Sequence, residues 1–161
     1  MRDQSTPRLL TGLLLALGVL LGAASEVGRG WPRDVVAGPV AARVLAVIDG
    51  DTIAVSARIW IGQHVVTRVR IVGVDAPELK GGCSRERALA VEARDFVVDA
   101  IDDGVVMLRD IRYDKYGGRV LARVENGNGQ DLAALLVAAG LGRAYDGGAR
   151  ASWCEGSPSG S

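Results

Sequence analysis

"RVLAVIDGDTIAV", residues 43–55, decides how the chain folds. Apolar residues run up to Ile48 and resume at Ile53, and two aspartates around a glycine stand between them. Asp and Gly close tight hairpins. The pattern therefore predicts two strands, 40–48 and 52–60, joined at Asp49-Gly50-Asp51. "IGQH", 61–64, supplies the next turn. "VVTRVRIVGV", 65–74, is a third strand that puts Arg68 and Arg70 on one face and Val69 and Ile71 on the other. Three strands with short connections make a meander. The two carboxylates at the first turn either only bend the chain or also hold a charged group.

The period changes after the meander. "SRERALAVEARDFVVDAID", 84–102, carries Leu89, Ala93, Phe96, Val97, Ala100 and Ile101 at helical spacing. Ser84 stands where an N-cap belongs, with Glu86 in the first turn. Two further strands follow, 105–111 and 119–125, around the Gly-containing turn "RYDKYGG". "NGNG", 126–129, is a sharp loop, and "QDLAALLVAAG", 130–140, is a short apolar helix with Asp131 near its start and Gly140 past its end. Three strands, a helix, two strands and a helix describe a β-rich α+β chain. A five-stranded OB-type barrel with two or three attached helices fits that order. A flat sheet with helices on one face is the alternative.

The N-terminal segment has a different character. "MRDQSTPRLLTGLLLALGVLLGAAS" places Arg2 and Arg8 before an apolar run from Leu9 to Ala24 that ends in small residues. That is the layout of a secretory signal. As a helix the 16-residue run would span ~24 Å, short of a ~30 Å hydrocarbon core. Residues 1–25 are expected to be a cleaved signal peptide, or else an uncleaved N-terminal membrane anchor. Both put the folded part outside the cytoplasm, secreted or periplasmic. Residues 26–38 read as a linker, 39–154 as the folded domain and 155–161 as a disordered tail. An oxidising compartment makes a disulfide between Cys83 and Cys154 the natural pairing; two independent thiols are the alternative. Trp153 is expected to pack over that bridge.

Net charge is zero, from 19 Lys and Arg against 19 Asp and Glu, which excludes a simple polycation wrapped on nucleic acid. Aromatic residues make up 4%, too few for an extended base-stacking platform. Chemistry-bearing residues nevertheless gather at three turns or strand ends. The first is Asp49 and Asp51. The second is "RIVGVDAPE", 70–78, with Arg70, Asp75 and Glu78, where Pro77 forces the chain out of the strand. The third is "DKYGGR", 114–119. Carboxylates suit a hard cation with oxygen ligands, a spare carboxylate can activate water, and two guanidiniums can hold phosphoryl oxygens as charge builds. Arg70 and Asp75 lie an odd number of residues apart, so a regular strand would face them oppositely. Gly73 between them is expected to mark a bulge or bend. His64, the single histidine, falls in a turn and is given no catalytic role.

With "IDGDT" at 48–52, "R-x4-DAPE" at 70–78 and "DKYGGR" at 114–119 in this order, the chain from about 40 to 145 resembles the thermonuclease (staphylococcal nuclease-like) family. The resemblance implies an OB barrel and a Ca²⁺-dependent phosphodiesterase that acts on DNA and RNA, preferably single-stranded or unpaired, and leaves 3′-phosphates. The chain is expected to be a monomer, with a membrane as partner only if the N-terminal segment stays uncleaved. The resemblance assigns Asp51, Asp75 and the backbone carbonyl of Ala76 to calcium, and Asp49 to the ion's outer shell. It assigns Glu78 as general base and Arg70 and Arg119 to the reacting phosphate. Lys115, Tyr116 and Tyr145 fall near the bound nucleotide. The chain departs from the family in its extra Gly118, in its neutral charge and in keeping a single tyrosine, Tyr145, where some members use two. A noncatalytic nucleic-acid-binding or structural OB module is the competing expectation.

Overall fold

The computed structural model describes residues 35–115 and 117–154. The expected signal or anchor segment, Tyr116 and the tail from residue 155 lie outside the described residues. The elements run β1 (Val35–Val36), β2 (Val40–Asp49), β3 (Thr52–Trp60), β4 (Gln63–Ile71), β5 (Gly73–Asp75), α1 (Ser84–Ala100), β6 (Val105–Tyr113), β7 (Arg119–Glu125), α2 (Leu132–Ala138) and β8 (Arg143–Tyr145).

Five strands close on themselves in the order β6-β2-β3-β4-β7, with β7 returning to β6. β4 and β7 pair in parallel and the other four barrel pairings are antiparallel. This closure makes the sheet an OB-type barrel rather than a flat sheet, and two helices attach to it. Alternate residues fill the interior: Ile53 and Val55, Val69 and Ile71, Val106 and Leu108, Ala122 and Val124 are all buried. α1 adds Ala93 and Val97 to the same core, and α2 adds Leu132 and Leu136. Leu89 and Phe96 are half-buried, and Phe96 packs on the core's edge.

The third expected strand is two strands. Gly73 adopts φ +94°, a conformation that breaks the ladder after Ile71. β5 then leaves the barrel and pairs with β8. Only two residues, Ile61 and Gly62, turn β3 into β4, so His64 lies in β4, exposed and opposite Arg58. Val35 and Val36, in the stretch read as a linker, pair with Arg112 and Ile111. The short β1 and β8 carry too few residues to show a period.

Helix ends follow local chemistry. Asp131 caps α2 by accepting the N–H of Ala134 at 3.1 Å. Gly140, at φ +72°, ends α2: its N–H meets the Val137 carbonyl, and the N–H of Leu141 meets that of Leu136. α1 is capped at Cys83 rather than Ser84, because Cys83 is bonded to Cys154 and held extended, with the two Cα atoms 5.9 Å apart. The carboxylate of Glu86 reaches back to the N–H of Gly82 at 2.9 Å, one position beyond a standard capping box. The bridge spans 71 residues, which the chain-entropy model values at about 4 kcal/mol.

Gly50 is required for space. It does not have a positive φ. A Cβ there would lie 2.8 Å from the Cβ atoms of both Ala76 and Ala93. Gly50 thus lets the β2–β3 turn touch α1 and the segment after β5. Neither alanine methyl can rotate away, so Gly50→Ala is expected to cost about 1–3 kcal/mol through overpacking. Urea unfolding checks this, and an unchanged midpoint would show that the contact is slack.

Candidate active site

The β2–β3 turn carries the first carboxylates. Asp49 ends β2, and its Oδ1 accepts the N–H of Asp51 at 3.2 Å. Asp51 is buried; its Oδ1 accepts the Thr52 hydroxyl at 3.0 Å and its Oδ2 accepts the N–H of Ala76 at 3.1 Å. That last bond ties the turn to a segment 25 residues away. The β3–β4 register sets Thr52 opposite Arg70, which brings the arginine to the same turn.

Arg70 is buried and joins two aspartates. One end of its guanidinium forms an ion pair with Asp51, and Nη2 lies 3.9 Å from Asp75 Oδ1. Nη2 also donates to the Val74 carbonyl at 3.3 Å. The backbone break at Gly73 lets Asp75, five residues on, turn to the side of Arg70. Burial, followed by the nearby positive charge of Arg150, lowers the Arg70 pKa from its usual value; Asp75 partly offsets this.

Arg119 reaches the site from β7, where the parallel register sets it beside Arg68. Paired residues share a face, so Arg119 is on the face that carries Arg68 and Arg70. The extra glycine does not disturb this. Gly117 and Gly118 both take φ +67°, and the lengthened turn still starts β7 at Arg119. Arg119 forms an ion pair with the buried Asp114. A cleft of ≈ 550 Å³ brings together Arg70, Glu78, Lys115, Arg119 and Tyr145, and adds Tyr113, Asp114, Leu121, Gly147 and Arg150. Its charged lining is four cations against two carboxylates, in a chain of zero net charge. Asp49, Thr52, Arg68 and Arg119 line a neighbouring cleft of ≈ 340 Å³.

Sequence reasoning missed Asp114, Arg150 and the position of Trp153. Arg150 Nη1 donates to Glu78 Oε1 at 2.8 Å, and its Nε lies 3.1 Å from Asp75 Oδ1. Burial alone would lower the Arg150 pKa, but the Glu78 hydrogen bond and the charge of Asp75 outweigh it and raise it. Trp153, expected to pack over the disulfide, also has partners at the site. Its ring lies 3.7 Å under the Arg143 guanidinium, and its Nε1 donates to Asp75 Oδ2 at 3.3 Å. A Trp next to a paired Cys was the one signal that this end of the chain returns to structure.

The donors suit a hard cation. Asp51 and Asp75 present buried carboxylates within reach of one guanidinium, and Asp75 Oδ1 is buried with no hydrogen-bond donor, held by charge alone. Another close group of ligand-type atoms, Cys83, Glu86 and Cys154, has both its sulfurs in the disulfide.

The family described as staphylococcal nuclease homologue matches residues 68–153, more than half of the chain. The chain belongs to that family. An Escherichia coli protein named "Uncharacterized endonuclease" is 29% identical over 116 residues, covering 72% of this chain and 67% of its own length. A protein of the same name from Escherichia coli O157:H7 is similar to the same extent. Asp49 and Asp51 precede the family match, and the Asp51–Ala76 bond connects them to it.

Asp49 carries a pH signature. Burial, and next the negative charge of Glu78, raise its pKa above the ordinary 3.8, with Thr52 and Arg70 partly opposing. The folded chain therefore holds this proton more tightly than the unfolded chain. The resulting stability is fully present below pH 3.8 and is lost as pH rises through the raised value. In chelator, Asp49→Asn is expected to raise the melting temperature at pH 7 and to have no such effect below pH 3.8. Melts at both pH values check this; a neutral-pH loss of stability would contradict it.

Proposed function

We propose that this chain is an exported, Ca²⁺-dependent nuclease that hydrolyses phosphodiester bonds of DNA and RNA, preferably single-stranded or unpaired, and leaves 3′-phosphates. Its membership of the staphylococcal nuclease homologue family and its likeness to proteins named endonuclease support a nuclease. The observation that carries the finer reading is one cleft holding Glu78 among Arg70, Arg119 and Lys115 beside the buried pair Asp51 and Asp75. Export rests on the apolar run Leu9–Ala24; among the described residues no helix is long and apolar enough to cross a membrane.

Asp51, Asp75 and the Ala76 carbonyl would hold calcium, with Asp49 behind them. Bound there, the ion would neutralise phosphate charge next to the reacting centre. Glu78 is half-exposed at the cleft and takes the proton from the attacking water. Arg70 and Arg119 bind phosphoryl oxygens as negative charge develops, in a site partly shielded from water. Lys115 and Tyr145 contact the nucleotide; Tyr145 is itself held by its hydroxyl bond to the Gly148 carbonyl at 2.7 Å. A chain without excess positive charge gains little from counterion release away from the cleft, so its salt dependence is shallow.

Digestion of denatured DNA by the full chain, with Ca²⁺ and with EGTA, tests the reading. Cleavage is expected only with Ca²⁺, and Glu78→Gln is expected to lower turnover by roughly 10²-fold or more while binding persists. No cleavage by a folded protein would favour the noncatalytic binding module. Full activity in Glu78→Gln would remove Glu78 from its role.

A further inference from the structure

The last described residues return to the cleft. Tyr145 ends β8, and its hydroxyl holds the Gly148 carbonyl. Arg143 Nη1 donates to the carbonyls of Ala151 and Ser152 at 3.0 and 3.1 Å, and Cys154 is bonded to Cys83. Between these anchors stands Arg150, whose guanidinium bridges Asp75 and Glu78. We propose that Arg150 is a third phosphate-binding arginine of the cleft, kept on Asp75 and Glu78 until a phosphodiester enters, with the disulfide holding it within reach. This deepens the nuclease reading and rests on it.

The charges explain the exchange. Arg150 is 42% exposed and Glu78 47%, so the pair lies at the open side of the cleft, while Asp75 lies beneath at 5%. A phosphodiester offers a guanidinium the same kind of anionic oxygen acceptors that Glu78 offers now. Once Arg150 turns to the phosphate, Glu78 loses the donor that occupies its oxygen and is left to accept a proton from water. A divalent cation held by Asp75 would carry charge of the same sign as the Arg150 guanidinium, so each would weaken the other's hold on that carboxylate. Arg150 would leave the carboxylates more readily with a cation at Asp75, and it is drawn the same way by a phosphate, so each ligand would favour the other.

Two binding measurements on the full chain, checked for folding by circular dichroism, separate this from a merely structural role. The first is the affinity for a short single-stranded phosphorothioate oligonucleotide in EGTA, by fluorescence anisotropy. The second is Ca²⁺ affinity without nucleic acid, by calorimetry. Arg150→Ala is expected to weaken oligonucleotide binding about tenfold, the scale of one lost charge-assisted contact, and to tighten Ca²⁺ binding severalfold. Arg150→Lys is expected to retain part of the oligonucleotide affinity. Cys83→Ser with Cys154→Ser is expected to move both affinities in the directions of Arg150→Ala. A structural role alone would weaken both, and that result overturns the proposal. Unchanged oligonucleotide affinity also overturns it, even with tighter Ca²⁺ binding, since Arg150 would then be only a counter-ion. A wild-type chain that cleaves DNA while Arg150→Ala leaves both affinities unchanged would sink this inference alone. A folded wild-type chain that binds neither ligand would sink the nuclease reading beneath it.

Discussion

The approach of Gly50 to Ala76 and Ala93 governs the rest of the site. The absence of a side chain at 50 lets the β2–β3 turn sit directly on α1 and on the segment after β5. Only at that distance can Asp51 accept the N–H of Ala76 at 3.1 Å. The bond fixes a carboxylate from the first hairpin against a chain segment that carries Asp75 and Glu78. Barrel closure supplies the other side, because the β4–β7 register brings Arg119 to the face of Arg70. Packing and register together assemble a set of charged groups that are scattered along the chain.

The buried charges of this set, Asp51, Arg70, Asp75 and Asp114, each have an opposite charge beside them. Arg70 serves Asp51 and Asp75, Arg150 serves Asp75 and Glu78, and Arg119 serves Asp114. Removing one partner of a buried pair leaves the other uncompensated, which costs more than the pair contributes. The same arrangement is useful for chemistry. Groups already held by charge can exchange one partner for a ligand without reordering the backbone, which keeps the cleft organised before substrate arrives. The disulfide extends this to the last residues, since it anchors the segment bearing Arg150 and Trp153 to the start of α1.

The barrel strands and both helices were legible because each repeats a period over seven residues or more. The carboxylates and two arginines were legible because they cluster at turns with a recognisable order. The odd spacing of Arg70 and Asp75 was resolved by Gly73, whose positive φ the sequence could only suggest. Gly50 reads as a turn residue, yet its requirement comes from Ala93, 43 positions later, and no local pattern carries that. β8 is three residues long and Arg150 is a lone charge after a glycine pair, so neither has a period or a motif. Their place follows from the pairing of Asp75 with Arg143 and from Cys154, which are tertiary facts.

In the proposed mechanism the turn at Asp51 and the strand end at Asp75 form one cation site facing the arginines. An anomalous difference map from crystals grown with calcium and a nucleoside monophosphate tests it most directly. A calcium peak bonded to Asp51 and Asp75 is expected, with the phosphate between it and Arg70 and Arg119. A calcium peak elsewhere, or a phosphate bound away from these arginines, would contradict it.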